Sequence, residues 1–287
     1  MENEMTRAEE IMSSVVRKFR KPIWCKFLEG IKTYEMIKEN DKIAVCISGG
    51  KDSMLMAMCI KQLSKYTKIP FTAEFLVMDP GYEPENRQRI IDNAALLDIP
   101  IHIFEAKIFD AVEVTGKNPC YMCARMRRGY LYKNAKELGC NKIALGHHFD
   151  DVIETILMGM LYGSQMQTMM PKLHSENFEG MELIRPMYMV READIINWRD
   201  YNDLHFLNCA CSVTKTIDVT GDGGSKRQEI KQLLKQLRAV DTKIDMHIFR
   251  SVENVNLRTL ISYHDGGEYH HFLDDYDEGR SIKDSKK

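Results

Sequence analysis

Along the chain, short unbroken apolar runs alternate with amphipathic stretches. Ile43-Ala44-Val45-Cys46-Ile47 is apolar throughout and ends at Ser48-Gly49-Gly50. That is the pattern of a strand buried on both faces of a parallel sheet. Residues 71–78, 101–105 and 142–146 read as further strands. Helices are predicted over 5–20, 27–39, 52–65, 85–97, 120–138, 150–162, 191–201 and 225–240, with Gly139 closing the fifth as a C-terminal cap. Strands that alternate with helices predict a doubly wound, mostly parallel α/β sheet with helical additions at both ends. Ligands in such sheets bind at the carboxyl ends of the strands, where Ser48, Asp79 and His147 fall. Residues 171–224 are otherwise less regular. Beyond 262 the chain turns polar and acidic and reads as a tail without fixed structure. The methionine-rich stretch 158–170 is expected in the core or in other hydrophobic packing.

Composition changes this picture little. With 287 residues, 44% of them apolar, the chain can bury one sizeable core with small additions. A net charge of −2 does not advertise a nucleic-acid binder, so local patches must carry any such role. Two patches qualify: Arg17, Lys18, Arg20 and Lys21 near the start, and Arg125 and Arg128 later on. No run reaches the roughly 18 apolar residues of a membrane span. The first ten residues are polar and acidic, unlike a secretory signal, so a cytoplasmic location with reduced thiols is expected.

Ser48-Gly49-Gly50-Lys51-Asp52-Ser53 joins a buried strand to a helix start. Two glycines let the backbone approach a phosphate, the helix amides point at the anion, and Lys51 can neutralise charge. The loop is shorter than the G-x-x-x-x-G-K-[ST] pattern. Its spacing resembles the ATP pyrophosphatase loop, which holds the β- and γ-phosphates that leave together. Asp79, at the next strand end, fits either an ATP or Mg²⁺ ligand or a turn residue.

Eight cysteines occur. Cys46 and Cys59 sit in apolar stretches and read as buried. Cys120-Tyr121-Met122-Cys123 is a chelating half-site, and Cys209-Ala210-Cys211 is a second thiol pair. Four thiolates suit zinc; three suit a [4Fe–4S] cluster with one iron left open. The cysteine pattern alone leaves both metals standing.

Taken together these segments resemble the tRNA 2-thiocytidine synthetase family. The resemblance runs from about Met36 to Leu260. It is carried by the 48–53 loop, by 120–132, and by Lys142-Ile143-Ala144-Leu145-Gly146-His147-His148-Phe149-Asp150-Asp151. Pro171-Lys172-Leu173, Ile184-Arg185-Pro186 and Arg191-Glu192 complete it. The resemblance implies an adenine nucleotide alpha hydrolase-like core and an ATP-dependent sulfurtransferase acting on a tRNA pyrimidine, foremost cytidine 32. It implies ATP, Mg²⁺ and a [4Fe–4S] cluster on Cys120, Cys123 and Cys211, with Cys209 the competing third ligand because the loop there departs from the family pattern. ATP-binding positions are Ser48, Gly49, Gly50, Lys51, Asp52, Ser53, Asp79, Gly146 and His147. Lys51, Asp52, Arg127, Asp150 and Asp151 are the catalytic candidates. Partners would be tRNA, a sulfur donor such as a cysteine desulfurase or free sulfide, and a second copy of the chain. The expected division is a helical segment over 1–40, the PP-loop domain over 41–210, a cysteine loop and helical region over 211–262, and the tail over 263–287. A different tRNA uridine as target, a small-molecule ligase, or an ATP-binding redox sensor are the competing functions.

Overall fold

The structure is a computed structural model that describes residues 5–106, 119–207 and 226–278; for 119–125 it describes the backbone alone. The chain forms two compact units, Met1–Glu154 with Met169–Ser225, and Thr155–Thr168 with Lys226–Lys287.

The first unit opens with α1 (Arg7–Val16), held by a reciprocal cap: Glu9 N donates to Thr6 Oγ1 and Thr6 N to Glu9 Oε2. The helix predicted over 5–20 stops there. A π-helical segment, Arg20–Cys25, follows, and then α2 (Lys26–Thr33). Pro22 has no N–H to donate, which interrupts the regular helical ladder. Six strands come next: β1 (Lys42–Ile47), β2 (Thr72–Asp79), β3 (Ile101–Glu105), β4 (Lys142–Ala144), β5 (Lys172–His174) and β6 (Glu182–Ile184). They form one sheet in the order β3-β2-β1-β4-β6-β5, parallel except for β5 against β6. The helices between them are α3 (Lys51–Tyr66), α4 (Pro84–Leu96), α5 (Pro119–Glu137), α6 (Phe149–Tyr162) and α7 (Glu192–Tyr201). Pro84 begins α4, where its missing N–H costs nothing. Gly139, at φ +73°, follows α5 as expected.

Chain order runs outward from β1 to β2 and β3, then returns to β4 on the other side of β1. The reversal opens a crevice between the carboxyl ends of β1 and β4. Helix α5 runs antiparallel to the strands. Its Met126 packs against Met78 and Ala106, at the carboxyl ends of β2 and β3, and Asn141 beyond its other end donates to the Lys42 carbonyl at the start of β1. The first turn of α5, with Cys120 and Cys123, therefore stands at the same edge as the glycine loop.

The opposite edge carries a buried charge network. Lys142 Nζ, its side chain only 2% exposed, lies 2.9 Å from Asp41 Oδ2, 2.8 Å from Glu182 Oε2 and 2.9 Å from the Met36 carbonyl. Asn141 Nδ2 donates to Asp41 Oδ1 at 2.8 Å. Burial raises both carboxylates' pKa values. Hydrogen bonds and the Lys142 charge outweigh that, and the net shift is downward from 3.8 for Asp41 and 4.5 for Glu182. A depressed carboxylate stabilises the fold above its unfolded pKa and stops doing so as pH falls through its folded value. Unfolding free energy from urea titrations is thus expected to be level near neutrality and to fall below about pH 4. A pH-independent value from 4 to 2 would contradict this.

The second unit holds α8 (Lys226–Val240), α9 (Ile244–Glu253) and an antiparallel hairpin, β7 (Ser262–Asp265) and β8 (Glu268–His271). Helix α9 and the strands β5 and β6 lie in stretches that show no readable period. The hairpin occupies the start of the segment read as a tail without structure. Its turn is Gly266-Gly267, both at positive φ, the conformation a tight hairpin demands. Arg238 Nε meets both oxygens of the buried Asp245 carboxylate at 3.0 Å. The methionine-rich stretch is a correction: Met160, Met166 and Met170 are 45%, 51% and 55% exposed. In the first unit, Val152 and Ile153 of α6 are buried.

Candidate active site

The glycine loop turns sharply out of β1. Gly49 takes φ +85°, and a Cβ there would stand 2.7 Å from Ile90 Cγ1. Its carbonyl accepts from Leu207 N at 3.2 Å. Ser53 Oγ donates to the Gly50 carbonyl at 3.0 Å and accepts from Ser48 N at 3.1 Å, so this hydroxyl pins the loop. Ser48 is exposed, and its hydroxyl reaches Ser53 Oγ at 3.2 Å. Helix α3 starts at Gly50 without a side-chain cap, which leaves its amino end to an anion. From β4, Gly146 presses on this loop: a Cβ there would meet Ser53 Cα and N at 3.1 Å.

Charged groups from three elements converge on the loop. Lys51 Nζ lies 3.0 Å from Glu192 Oε1 and 3.2 Å from Asp52 Oδ2. Burial draws the Lys51 pKa down, but Asp52 and Glu192 outweigh it and the net shift is upward. Lys51 therefore stays a cation. The buried His148 has Nε2 3.9 Å from both Asp52 Oδ1 and Glu192 Oε1, and Nδ1 3.5 Å from Asp151 Oδ2. Burial raises the Asp52 pKa, partly offset by His148 and Lys51. Asp150 Oδ2 accepts from Glu192 N at 2.8 Å, so the amino ends of α6 and α7 are tied together. Across from the loop, α7 and residues 203–207 complete a cleft of about 840 Å³, lined by Ser48, Lys51, Glu192, Arg199 and Phe206 among others. That volume suits a nucleotide-sized ligand.

Asp79 serves its own turn. Oδ1 accepts from Gly81 N at 2.9 Å and Tyr82 N at 2.7 Å, and Oδ2 pairs with Arg87 Nε at 3.2 Å. His147 and Arg127 are half-buried, and Arg128 is exposed. Arg17, Lys18, Arg20 and Lys21 are all exposed, with Lys18 Nζ 3.4 Å from the Tyr201 ring centroid. The side chains of Cys120, Cys123 and Arg125, and the whole of Cys209 and Cys211, lie outside the described residues. Sequence reasoning gave no role to Glu192 or the central place to His148. Glu192 stood in the Arg191-Glu192 pair, but no local pattern links it to Lys51, 141 residues away.

A family model described as a PP-loop domain matches residues 21–215. The tRNA-cytidine(32) 2-sulfurtransferase of Aliivibrio salmonicida is 36% identical over 238 residues, 81% of this chain and 73% of that protein. The chain belongs to the tRNA-cytidine(32) 2-sulfurtransferase family. Other relatives of that name include the protein of Vibrio cholerae, 35% identical over 88% of this chain and 79% of its own length, and that of Pelobacter propionicus, 31% identical over 81% and 85%. In fold, the chain is similar to the U34-tRNA thiolase NcsA from Methanococcus maripaludis, solved with its [4Fe-4S] cluster. The TM-score is 0.61 at 21% identity, over 80% of this chain and 78% of that one. The expected doubly wound PP-loop architecture is borne out. In this member of the tRNA-cytidine(32) 2-sulfurtransferase family, the glycine loop lies within the residues that the PP-loop domain matches, and the Lys51–Glu192 pair stands at its mouth.

Proposed function

We propose that this chain is an ATP-dependent tRNA 2-thiolation enzyme acting on cytidine 32. The observation that carries the reading is the meeting, at the sheet's switch point, of the PP-loop and the His147–Asp151 segment, in a chain whose relatives bear that name. The base's C2 oxygen attacks the α-phosphorus of ATP. Pyrophosphate leaves, held by the α3 amides and Lys51. The adenylated oxygen is then a good leaving group. A sulfur nucleophile forms a bond to C2, and AMP departs with the electron pair of the C2–O bond.

Asp151 is our choice for the catalytic carboxylate, oriented by His148, whose backbone N donates to Asp151 Oδ2 at 3.0 Å. Arg127 would face the nucleotide or the sulfur. Carboxylates at the loop mouth are the hard oxygen donors Mg²⁺ prefers, and Asp150 or Asp151 would hold that ion while it neutralises phosphate charge. Burial pushes the Cys46 pKa up to about 12 and Cys140 up to about 11, and raises Cys59 as well, so these three stay protonated and inert. By the family resemblance, Cys120 and Cys123 of the C-x-x-C turn at the PP-loop edge, with Cys211 or its competitor Cys209, would hold a [4Fe–4S] cluster whose remaining iron offers sulfide a binding position. Arg17, Lys18, Arg20, Lys21, Arg125 and Arg128 are assigned to tRNA phosphates. Free sulfide or a cysteine desulfurase would supply sulfur, and a second copy of the chain would complete a homodimer. Among the described residues no helix is long and apolar enough to cross a membrane, and we assign the reaction to the cytoplasm.

The test is direct. Anaerobically purified, cluster-loaded protein is incubated with ATP, sulfide and unmodified tRNA, and the tRNA is digested. AMP and 2-thiocytidine are expected in equal amounts. AMP on a small molecule, or no ATP turnover with any tRNA, would refute the reading. Cys120→Ala protein should be colourless yet still bind ATP; retained brown colour with activity would remove Cys120 from the ligand set.

A further inference from the structure

Arg185 follows β6 directly, at the edge of the sheet that carries the PP-loop. Its backbone is fixed, with N donating to the Pro171 carbonyl at 2.9 Å and O accepting from Tyr188 N at 3.0 Å. Its guanidinium is poorly matched. Nη1 donates to the Met170 carbonyl, and Nε is buried without a hydrogen-bond partner. Among the described residues no carboxylate comes within ion-pair distance of it. Burial, with Arg128 adding repulsion, lowers its pKa to about 10, against the pull of Tyr188, Tyr132 and Asp151. A desolvated cation without a counter-charge is costly, and proteins keep one where a ligand brings the anion.

The position limits what that anion is. Arg185 ends β6, and β4 lies between β6 and β1. Two strand spacings put its backbone about 10 Å from β1, beside the PP-loop rather than on it. It is near enough to Asp151, and to Arg128 on α5, to feel both charges. A chain that crosses this edge with one base at the PP-loop would lay a neighbouring phosphate here. We propose that Arg185, together with Arg128, forms an anion subsite that receives a phosphodiester of the acceptor RNA beside the nucleotide being modified. The proposal rests on the tRNA-thiolation reading. Arginine suits the task because its planar fork can grip two phosphate oxygens and so set the register of the strand.

The experiment is equilibrium binding of a fluorescent RNA hairpin with the anticodon stem–loop sequence to the full chain, over a series of salt concentrations. Arg185→Gln should weaken binding by roughly tenfold and lower the steepness of log K against log salt by about 0.7 to 0.9, the mark of one lost phosphate contact. Arg185→Lys should restore the slope and only part of the affinity. ATP affinity should stay within about twofold in both variants, by calorimetry on the same samples. An unchanged slope and affinity in Arg185→Gln overturns the subsite. So does a parallel loss of ATP affinity, which would make the ligand the nucleotide. Should Arg185→Gln fail to fold, the wild-type protein is titrated with hairpins carrying one neutral methylphosphonate at each loop position. One position must weaken binding, and its effect must shrink in Arg128→Gln; if no position does, the subsite is wrong. A wild-type protein that binds no such hairpin sinks the tRNA reading as well, so the two failures are distinguishable.

Discussion

Replacing Gly146 with alanine is expected to weaken ATP binding by about tenfold or more while the sheet remains folded. The added methyl would come 3.1 Å from Ser53 Cα and N and 3.2 Å from the Asp52 carbonyl carbon. All three are backbone atoms of the PP-loop and the first turn of α3, so no side chain can swing aside. The loop itself must shift by several tenths of an ångström, and phosphate gripped by amides tolerates such displacement poorly. The Gly146 backbone is not in the left-handed region, so alanine brings no conformational strain of its own there. Overpacking of this kind costs about 1–3 kcal/mol of stability, which a protein of this size should survive. Gly139→Ala is the contrasting control: it meets nothing within 4 Å but sits at φ +73°. It should cost about 1–2 kcal/mol of stability and leave ATP affinity alone. Calorimetric titration with ATP beside thermal melts of both variants checks the pair. Equal ATP affinity in wild type and Gly146→Ala would mean that the β4 loop does not set the phosphate site.

Lys142→Ala is expected to be the most destabilising single change outside the site, by about 3–5 kcal/mol. It leaves Asp41 and Glu182 facing each other without the ammonium between them, and strips the Met36 carbonyl of its donor. For a chain this long that corresponds to a fall in Tm of roughly 6–20 °C. The deficit should narrow as pH drops below about 4, where both carboxylates protonate and their repulsion ends. Urea unfolding of the variant at pH 7 and pH 3.5 measures both effects. A loss below 1 kcal/mol at pH 7 would place the network among solvent-screened surface pairs.

Much of the fold is legible from local patterns. β3 falls on its expected residues, and α3, α4, α5 and α6 lie within a residue or two of theirs. Apolar period, a proline at a helix start and a glycine at a helix end are local signals, and each acts within a few residues. The shortfalls share a cause. β4, β5 and β6 have three residues each, too few to display a period; the first was placed only by its apolar run. Exposure of Met160 and Met166 depends on which side chains the fold leaves uncovered, which no local window contains.

By itself the sequence determined the alternating strands and helices of the parallel core and the family, because glycine placement and apolar spacing constrain the backbone directly. Only the tertiary structure decided which charges meet. Lys51 pairs with Glu192, His148 stands between Asp52 and Asp151, and Lys142 joins Asp41 to Glu182. These contacts span as many as 141 residues, and they exist because a parallel sheet gathers the like ends of distant strands at each of its two edges. Coulomb forces act through space, and the chain's local pattern does not record which partners the fold will bring within reach.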